Sequence, residues 1–237
     1  MSNIDLYKGD CLQVMDDLIA KGIVVDAIIT DPPYGTTACK WDTVIPFDEM
    51  WSRLNKLIKP NGAIVLFGSE PFSSALRMSN IKNYKYDWKW IKSRPSGHLN
   101  AKIMPLKNIE DIAIFYSKQC RYNTQFTEGK PNNIKDGSIR KTKATNNIYG
   151  EFKNTIQKRT TQKYPKQNLY FSQQDPRVII HPTQKPLALM EYLIKTYTNE
   201  GELVLDFTVG SGTTAVACKQ TNRNFIGFEL DKGYFDI

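Results

Sequence analysis

The chain has 237 residues, of which 41% are hydrophobic and 24% charged, so most of it is expected to form one large globular domain, with or without an insertion. The formal net charge of +8 favours a polyanionic partner but by itself indicates only non-specific attraction. The four cysteines are scattered and there are only two histidines, which argues against a disulfide scaffold and against a metal centre. The N-terminus has no leader pattern, which argues against export. No apolar run approaches the ~18 residues of a membrane span.

Predicted strands and helices alternate over residues 1–117. The strands are predicted at Ile4–Lys8, Val24–Thr30, Ala63–Phe67, Tyr86–Lys92 and Asp111–Tyr116, and the helices at Cys11–Ala20, Phe47–Ile58 and Pro71–Met78. Val24–Thr30 is almost continuously apolar, which is typical of a strand buried on both faces. It is expected to end before Pro32 and Pro33, because proline cannot donate to the ladder of a central strand.

A basic, polar segment interrupts this alternation at residues 118–180. Between Lys118 and Arg177 there are 13 Lys and Arg against 4 Asp and Glu, and 14 Asn and Gln but only five Val, Ile and Leu. So few aliphatic side chains cannot form a core for a segment of about 60 residues. Basic side chains can neutralise phosphates, amide side chains can read base edges, and aromatic side chains can stack on bases. This combination favours a nucleic-acid-binding insertion. A solvated, partly disordered insertion is the open alternative.

The alternation resumes after this insertion. Helices are predicted at Leu187–Thr198 and Gly212–Gln220, and strands at Glu202–Asp206 and Asn224–Glu229, with no closing helix of normal length after them. Strands that alternate with helices predict an α/β fold with a doubly wound, mostly parallel, Rossmann-like sheet. Residues 1–117 and 181–237 are then the two halves of one domain.

A glycine turn follows the strand that ends at Asp206. Gly210 and Gly212 would let the backbone pass close to a ligand, and Glu229 follows Gly210 by nineteen residues. An acid about 20 residues after such a turn holds ribose hydroxyls in nucleoside-binding α/β folds. The third glycine of the dinucleotide pattern is missing, and so is the Gly-Lys-Ser/Thr of a phosphate loop. The pattern therefore favours a nucleoside cofactor over a dinucleotide, although such loops are also simple tight turns.

The sequence Asp31-Pro32-Pro33-Tyr34 stands at the carboxyl end of a predicted central strand. Ligands of open α/β sheets bind outside these strand ends. The two prolines make a stiff corner and remove backbone donors, so the Asp31 carboxylate and the Pro32 carbonyl could accept both hydrogens of an exocyclic amine, while the Tyr34 ring offers a flat face for a base. A strand-end turn with a solvated Asp is the other interpretation.

Three motifs together resemble the amino-group DNA methyltransferases that use S-adenosylmethionine. They are Asp-Pro-Pro-Tyr at 31–34, Asp-Phe-Thr-Val-Gly-Ser-Gly-Thr-Thr at 206–214 and His-Pro-Thr-Gln-Lys-Pro at 181–186. Their order, with the proline corner first, then a long insertion and then the glycine loop, resembles the β class of these enzymes, in which the insertion is the target-recognition region. The resemblance covers about residues 4–236.

The resemblance implies a role for each motif residue. The catalytic corner that holds the target base would be Asp31, Pro32, Pro33 and Tyr34. The residues that wrap the methionine part of the cofactor would be Asp206, Phe207, Gly210, Ser211, Gly212 and Thr213. Glu229 would hold the ribose, Asp10 would meet the adenine amine of the cofactor, and Lys185 with Pro186 would close over the cofactor. Phe207-Thr208-Val209 stands where the family more often has a Pro-Phe pair, which should alter the loop only slightly.

The resemblance implies methyl transfer to the exocyclic N6 of adenine in double-stranded DNA, by direct displacement on a base that has flipped out of the stack. Asp31 at the first corner position favours adenine, and cytosine-N4 methylation is the alternative. Methylation of cytosine carbon 5 is disfavoured because the chain has no Pro-Cys dipeptide. A catalytically silent DNA-binding module is a more remote alternative, and an RNA or protein methyltransferase and a dehydrogenase are less favoured still.

The cellular setting follows from the same resemblance. A cytoplasmic enzyme, encoded by a bacterium or a phage, is expected, in keeping with the scattered cysteines. The sequence leaves open whether the enzyme is a homodimer and whether it has a cognate restriction enzyme.

Overall fold

The structure is a computed structural model that describes residues 2–37, 39, 42–140, 155–173 and 183–236. The chain forms two compact units. The larger unit consists of Met1–Asn123 together with Lys166–Ile237, and the smaller unit is Thr124–Pro165. The predicted insertion, residues 118–180, is therefore wider than the smaller unit at both ends.

The larger unit alternates strands and helices. Its strands are β1 (Ile4–Lys8), β2 (Val25–Thr30), β3 (Ile58–Gly68), β4 (Tyr84–Ser96), β5 (Lys107–Phe115), β10 (Asn168–Tyr170), β11 (Leu203–Asp206) and β12 (Asn224–Glu229). Its helices are α1 (Cys11–Ala20), α2 (Phe47–Leu57), α3 (Phe72–Ser79), α4 (Leu187–Tyr197), α5 (Thr213–Gln220) and the short α6 (Lys232–Phe235). The strands β6–β9 belong to the smaller unit.

The eight strands form one sheet in the order β1-β12-β11-β2-β3-β5-β4-β10. Strand β5 runs antiparallel to both of its neighbours, β3 and β4, and the other neighbouring strands are parallel. Strands β2 and β11 are adjacent although about 175 residues separate them in the chain. The prediction of a mostly parallel α/β sheet is confirmed.

Both faces of the sheet are covered by helices. On one face Ala27, Ile29 and Val65 pack against apolar side chains of α4 and α5. On the other face Ile28 and Leu66 pack against α1, α2 and α3. Full burial of each such side chain contributes roughly 1.5–3 kcal/mol, which explains why the central strands are apolar at consecutive positions. The doubly wound arrangement is thereby confirmed.

Two strands are longer than predicted. The predicted Tyr86–Lys92 lies within β4 (Tyr84–Ser96). The predicted Asp111–Tyr116 overlaps β5 (Lys107–Phe115), which begins four residues earlier and ends one residue earlier than predicted. The additional residues are mostly polar and partly exposed, so they carry no apolar pattern, and their extended conformation comes from antiparallel pairing between β4 and β5.

Strand β3 also begins earlier than predicted, at Ile58, so Pro60, Asn61 and Gly62 lie within it although these residue types are common in turns. A Cβ at Gly62 would stand 2.7 Å from the backbone oxygen of Asp26. The glycine therefore allows close approach of β2 rather than a turn. After β12 the chain forms the short helix α6, which has four residues and is therefore not a closing helix of normal length. Asp231 caps it, because its carboxylate accepts from the N–H groups of Gly233 and Tyr234.

The smaller unit consists of short antiparallel ribbons. Strand β6 (Thr127–Glu128) pairs with β9 (Gln162–Lys163), and β7 (Ile139–Arg140) pairs with β8 (Thr155–Ile156). Phe126 and Tyr164 meet edge to face, with ring centroids 5.0 Å apart. Residues 141–154 and 174–182 lie outside the described residues. None of the helices that the structure describes has the length and apolar character needed to cross a membrane.

Candidate active site

The proline corner and the glycine loop lie side by side at one edge of the sheet. They follow β2 and β11, which are parallel neighbours with Leu205 opposite Ile28. The Thr208 hydroxyl donates to the backbone oxygen of Asp31 at 3.0 Å, and it lies 2.9 Å from the Thr30 hydroxyl. Carboxyl ends of adjacent parallel strands meet at the same edge of a sheet, and these bonds fasten the two motifs together there.

Asp206 is the buried anchor of the glycine loop. Its side chain is 3% exposed and accepts hydrogen bonds from the hydroxyls of Thr30 and Thr214 and from the backbone N–H of Thr208. Burial raises the pKa of the Asp206 carboxyl to about 6, although the hydrogen bonds oppose this shift. Asp206 therefore ties the end of β11 to β2 and to the first turn of α5.

The glycine loop itself is a left-handed turn held against β12. Gly210 and Gly212 have φ values of +56° and +75°, a region that favours glycine. The N–H of Gly210 donates to Glu229 at 2.8 Å, and the N–H of Val209 donates to the backbone oxygen of Phe228 at 2.9 Å. Because Glu229 ends β12, its carboxylate stands directly beside the loop, as the nineteen-residue spacing predicted.

Asp10 lies at the adjacent strand end. The N–H of Gly9 donates to the backbone oxygen of Glu229 at 3.0 Å, so the ends of β1 and β12 are next to each other. One carboxylate oxygen of Asp10 accepts from the N–H groups of Leu12 and Gln13 and caps α1. The structure therefore places Asp10 near the glycine loop and also gives it a structural role that the sequence analysis did not assign.

Both carboxylate oxygens of Asp31 have partners. The Tyr34 hydroxyl donates to Oδ1, and the Lys185 ammonium donates to Oδ2 at 2.5 Å. Lys185 also lies 3.3 Å from Glu110. One face of the Tyr34 ring stacks on Phe72, with centroids 5.0 Å apart and an interplanar angle of 27°. Asp31 is therefore a paired, oriented carboxylate and not the solvated one of the alternative interpretation.

The pKa values at this corner reflect burial and ion pairing. Burial raises the pKa of Asp31, Lys185 opposes that shift and Glu110 adds to it. Burial by itself lowers the pKa of Lys185, but the carboxylates of Asp31 and Glu110 raise it above its ordinary value. Burial also raises the pKa of Tyr34 well above its ordinary value, so its hydroxyl stays protonated and acts as a donor.

Asp42 shapes the loop after the corner, and the sequence analysis missed it. Its carboxylate accepts hydrogen bonds from four backbone N–H groups, those of Tyr34, Gly35, Thr36 and Thr37, at 2.7–2.9 Å. Burial acts to raise the pKa of Asp42, but hydrogen bonds from the Thr37 side chain and from backbone N–H groups lower it overall. No sequence motif marks this residue; its only signal is a carboxylate a few residues after a glycine turn.

The predicted site residues do not all lie in the same surroundings. The corner and loop residues meet at one sheet edge: Asp31, Pro32, Pro33, Tyr34, Gly210, Ser211, Gly212 and Thr213. Phe207 is 1% exposed and belongs to the hydrophobic core. Lys185 is bonded to the corner. His181 and Pro182 of the third motif lie outside the described residues.

A family model described as DNA methylase, of the N6 and N4 type, matches residues 25–237. The chain belongs to this DNA methylase family. The type II methyltransferase M2.LlaDCHI of Lactococcus lactis subsp. cremoris is 27% identical to it over 271 residues, covering 99% of this chain and 87% of the relative.

Solved structures agree with this assignment. A crystal structure of M1.HpyAVI in complex with SAM is 30% identical to this DNA methylase, with a TM-score of 0.66 over 98% of this chain and 96% of the other. The PvuII DNA methyltransferase, described as cytosine-N4-specific, has a TM-score of 0.69 but 17% identity, with 99% of this chain and 84% of the other covered, so it shares the fold only. The protein is an S-adenosylmethionine-dependent DNA methyltransferase that acts on adenine N6 or cytosine N4.

The residues at the glycine loop of this DNA methylase fit S-adenosylmethionine. A Cβ at Gly212 would meet none of the described atoms within 4 Å, so there is open space beside the loop. The carboxylates of Glu229 and Asp10 can accept hydrogen bonds from ribose hydroxyls and an amine. Helix α5 begins at this loop with no side-chain cap among the described residues, and backbone N–H groups at a helix N-terminus suit a ligand carboxylate.

Proposed function

We propose that this protein methylates the N6 amino group of adenine in double-stranded DNA. The observation that carries the proposal is the hydrogen bond of 3.0 Å between the Thr208 hydroxyl and the Asp31 backbone oxygen, which holds the base-binding corner beside the cofactor loop. Asp rather than Ser at the first position of the corner supports adenine. Cytosine-N4 methylation is the second candidate, because the family includes both activities.

The chemistry expected at the corner is alignment of a weak nucleophile. The amine lone pair of adenine is delocalised into the ring, and acceptors at the Asp31 carboxylate and the Pro32 carbonyl would favour a more pyramidal nitrogen. S-adenosylmethionine, when held at the glycine loop, would supply a sulfonium methyl group. The amine would take up that methyl group as the S–C bond broke with its electron pair going to sulfur, and the proton released from the amine would pass to water. Orientation and a pre-formed polar site then provide most of the rate enhancement.

The target base has to leave the duplex before it can reach Asp31. Flipping costs a few kcal/mol, and stacking on an aromatic side chain such as Tyr34 returns ~1–3 kcal/mol. Phe72 already covers one face of the Tyr34 ring, so the other face would receive the base. The stack of Tyr34 on Phe72 supports this assignment, because it fixes the ring before a base arrives.

We assign target recognition to the insertion at residues 118–180, which includes the compact unit Thr124–Pro165. This unit contains nine Lys and Arg but three Asp and Glu, which suits contact with phosphates. A homodimer, a cognate restriction enzyme and a cytoplasmic location remain predictions.

The test is methyl transfer from labelled S-adenosylmethionine into DNA by the variant Asp31→Ala. We expect a loss of about 100-fold or more in the single-turnover rate, since removal of one preorganised polar group commonly costs 10²–10³. Asp17→Ala is the matched control, because Asp17 is exposed on α1. A near-normal rate in a folded Asp31→Ala variant would remove Asp31 from the mechanism.

The choice of base needs a separate measurement. DNA of random sequence is methylated by the wild-type protein, digested to nucleosides and separated by mass spectrometry. N6-methyladenine is the expected product, and N4-methylcytosine would establish the second candidate. Base-resolved mapping of the same DNA gives the recognition sequence.

A further inference from the structure

Four charged side chains from separate parts of the sequence form a line of ion pairs behind the proline corner. The Lys92 ammonium on β4 lies 2.9 Å from Glu110 Oε1 on β5. Glu110 Oε2 lies 3.3 Å from the ammonium of Lys185, which in turn lies 2.5 Å from Asp31 Oδ2. Opposite charges alternate along this line, which therefore carries no net charge.

These side chains are largely removed from water. The exposed fractions of the side chains are 8% for Lys185, 14% for Glu110, 10% for Lys92 and 20% for Asp31. A buried ion pair is a weak source of stability, because desolvation offsets the Coulomb attraction, and an apolar replacement is often as stable. Stability alone therefore does not account for this line, and its position against Asp31 suggests a functional reason.

The line restricts how the Asp31 carboxylate can turn. Its Oδ1 accepts from the Tyr34 hydroxyl and its Oδ2 accepts from Lys185, so rotation about the last side-chain bond would break both interactions. Lys185 is itself held between Asp31, Glu110 and the Phe67 ring, whose centroid is 5.1 Å from its ammonium nitrogen. The contacts of Lys185 that the structure describes thus lie at the proline corner.

We propose that Lys185 and Glu110 are positioning residues for Asp31: Glu110 holds the Lys185 ammonium in place, and Lys185 fixes the Asp31 carboxylate in the orientation that receives the target amine. This inference rests on the proposed function of Asp31. It differs from the role that family resemblance implies for Lys185, which is to close over the cofactor.

The titratable groups that face Asp31 come from several elements, and they predict how the methyl-transfer rate of a Lys185 variant should depend on pH. They are Lys185 before α4, Glu110 on β5, Tyr34 in the corner and Asp206 at the end of β11. Lys185 is the cation among these four groups. If the charge of Lys185 were removed, Asp31 would remain buried near the carboxyl groups of Glu110 and Asp206. The pKa of Asp31 would then rise, so that Asp31 would take up a proton at a higher pH than in the wild type. A protonated Asp31 has lost an acceptor site, so methyl transfer would slow at neutral pH.

The principal test uses Lys185→Met, which keeps the length of the side chain and removes its charge. We expect the single-turnover rate at pH 7 to fall by about 10-fold or more, and the acid limb of its pH profile to move up by about one pH unit or more. The dissociation constant of S-adenosylmethionine, measured by calorimetry without DNA, should stay within about 2-fold of the wild-type value. Single-turnover conditions matter because product release limits many steady-state rates.

Lys195→Met is the matched control. Lys195 also pairs with a glutamate, Glu191, at 3.3 Å, but its side chain is 45% exposed on α4. An exposed pair of this kind contributes little, so rate, pH profile and cofactor affinity should all match the wild type.

Two further variants separate positioning from folding. In the double variant Lys185→Met/Glu110→Gln the neighbouring carboxylate is also neutralised, so the acid limb should return part of the way toward the wild-type position. Lys185→Arg keeps the charge and should keep the wild-type acid limb even where its rate is lower. Lys185→Arg carries the test if Lys185→Met does not fold, because a moved acid limb in this charge-keeping variant would contradict the proposal.

Two results would overturn the proposal. One is a 10-fold weaker affinity for S-adenosylmethionine in Lys185→Met with an unmoved acid limb, which would make Lys185 a cofactor ligand. The other is a titration of the Asp31 carboxyl, followed by carbon NMR and assigned with Asp31→Asn, that is the same in Lys185→Met and the wild type. The NMR titration does not depend on DNA methylation, so failure of the proposed function would be recognised separately by an inactive wild-type protein.

Discussion

At the scale of single residues, the site depends on carboxylates that are buried but well supplied with donors. Asp206 accepts from two threonine hydroxyls and one backbone N–H, and Asp42 accepts from four backbone N–H groups. Hydrogen bonds oppose the cost of burying each charge. They prevail at Asp42, whose pKa is lowered, but not at Asp206, whose pKa is raised to about 6. The two residues therefore respond to pH in opposite directions.

Asp206 gives a prediction about the pH dependence of stability. Its pKa is about 6 in the folded protein and roughly 3.9 in an unfolded chain, so the folded state binds the proton more tightly. The stability that this group contributes is present below about pH 4 and is lost as the pH rises through about 6. As the pH rises over that range, the free energy of unfolding of Asp206→Asn should increase by up to ~3 kcal/mol relative to that of the wild type.

Urea unfolding of both proteins at several values between pH 4 and pH 7.5 measures this difference. A stability difference between variant and wild type that does not change with pH would contradict the raised pKa of Asp206. Asp17→Asn, at an exposed position on α1, is the control.

At the scale of elements, the glycine loop takes its position from the strand beneath it. Gly227 lies within β12, between β1 and β11. A Cβ at Gly227 would come within 2.4 Å of Val209 Cγ2 and 2.5 Å of the Phe225 ring. Val209 immediately precedes Gly210, so the loop rests on a strand surface that has no space for a side chain.

Gly227→Ala should therefore disturb cofactor binding from a position outside the loop. Overpacking of this kind lowers the free energy of unfolding by ~1–3 kcal/mol. The displacement of Val209 should also weaken S-adenosylmethionine binding by about 10-fold. Calorimetry and thermal unfolding measure the two effects. Gly129→Ala is the control, because the added methyl group would meet only the flexible Lys163 side chain. Unchanged cofactor affinity in Gly227→Ala would mean that the loop does not depend on β12.

At the scale of the whole molecule, most of the net positive charge lies in the smaller unit and little of it in the larger one. Thr124–Pro165 forms a compact unit by itself and has a formal net charge of +6, out of +8 for the chain. The larger unit contains the glycine loop, the proline corner and the whole eight-stranded sheet. Methyl-donor binding is thus expected to depend on the larger unit, and the electrostatic part of DNA binding on the smaller one.

Replacement of Thr124–Pro165 by a Gly-Ser linker of about 12 residues tests this division. We expect the shortened protein to bind S-adenosylmethionine with wild-type affinity and to bind DNA much more weakly. For the wild type, the logarithm of the DNA association constant should fall with the logarithm of salt concentration, with a slope near −0.9 per phosphate contact, and the slope should be smaller after the replacement. Equal slopes would show that the phosphate contacts lie elsewhere in the chain.

The sequence by itself determined the fold class and the position of the two motifs. Apolar runs such as Val25–Thr30, the prolines after them and the glycines at 210 and 212 are local signals, because they reflect burial and backbone geometry within a few residues. The rule that ligands bind at the carboxyl ends of parallel strands then predicted that Asp31 and the glycine loop meet. The Thr208–Asp31 hydrogen bond shows that they do.

Only the tertiary structure decided which side chains surround Asp31. Glu110 and Lys92 are ordinary residues of β5 and β4, and nothing in their neighbourhood distinguishes them from other charged strand residues. Glu110 reaches Lys185, and Lys92 reaches Glu110, because β5 inserts antiparallel between β3 and β4, and strand pairing of this kind is set by contacts between distant parts of the chain. The same long-range pairing extended β4 and β5 beyond their apolar residues. Lys185 lies before α4 and far from Asp31 in the sequence, so the two meet only in the folded chain.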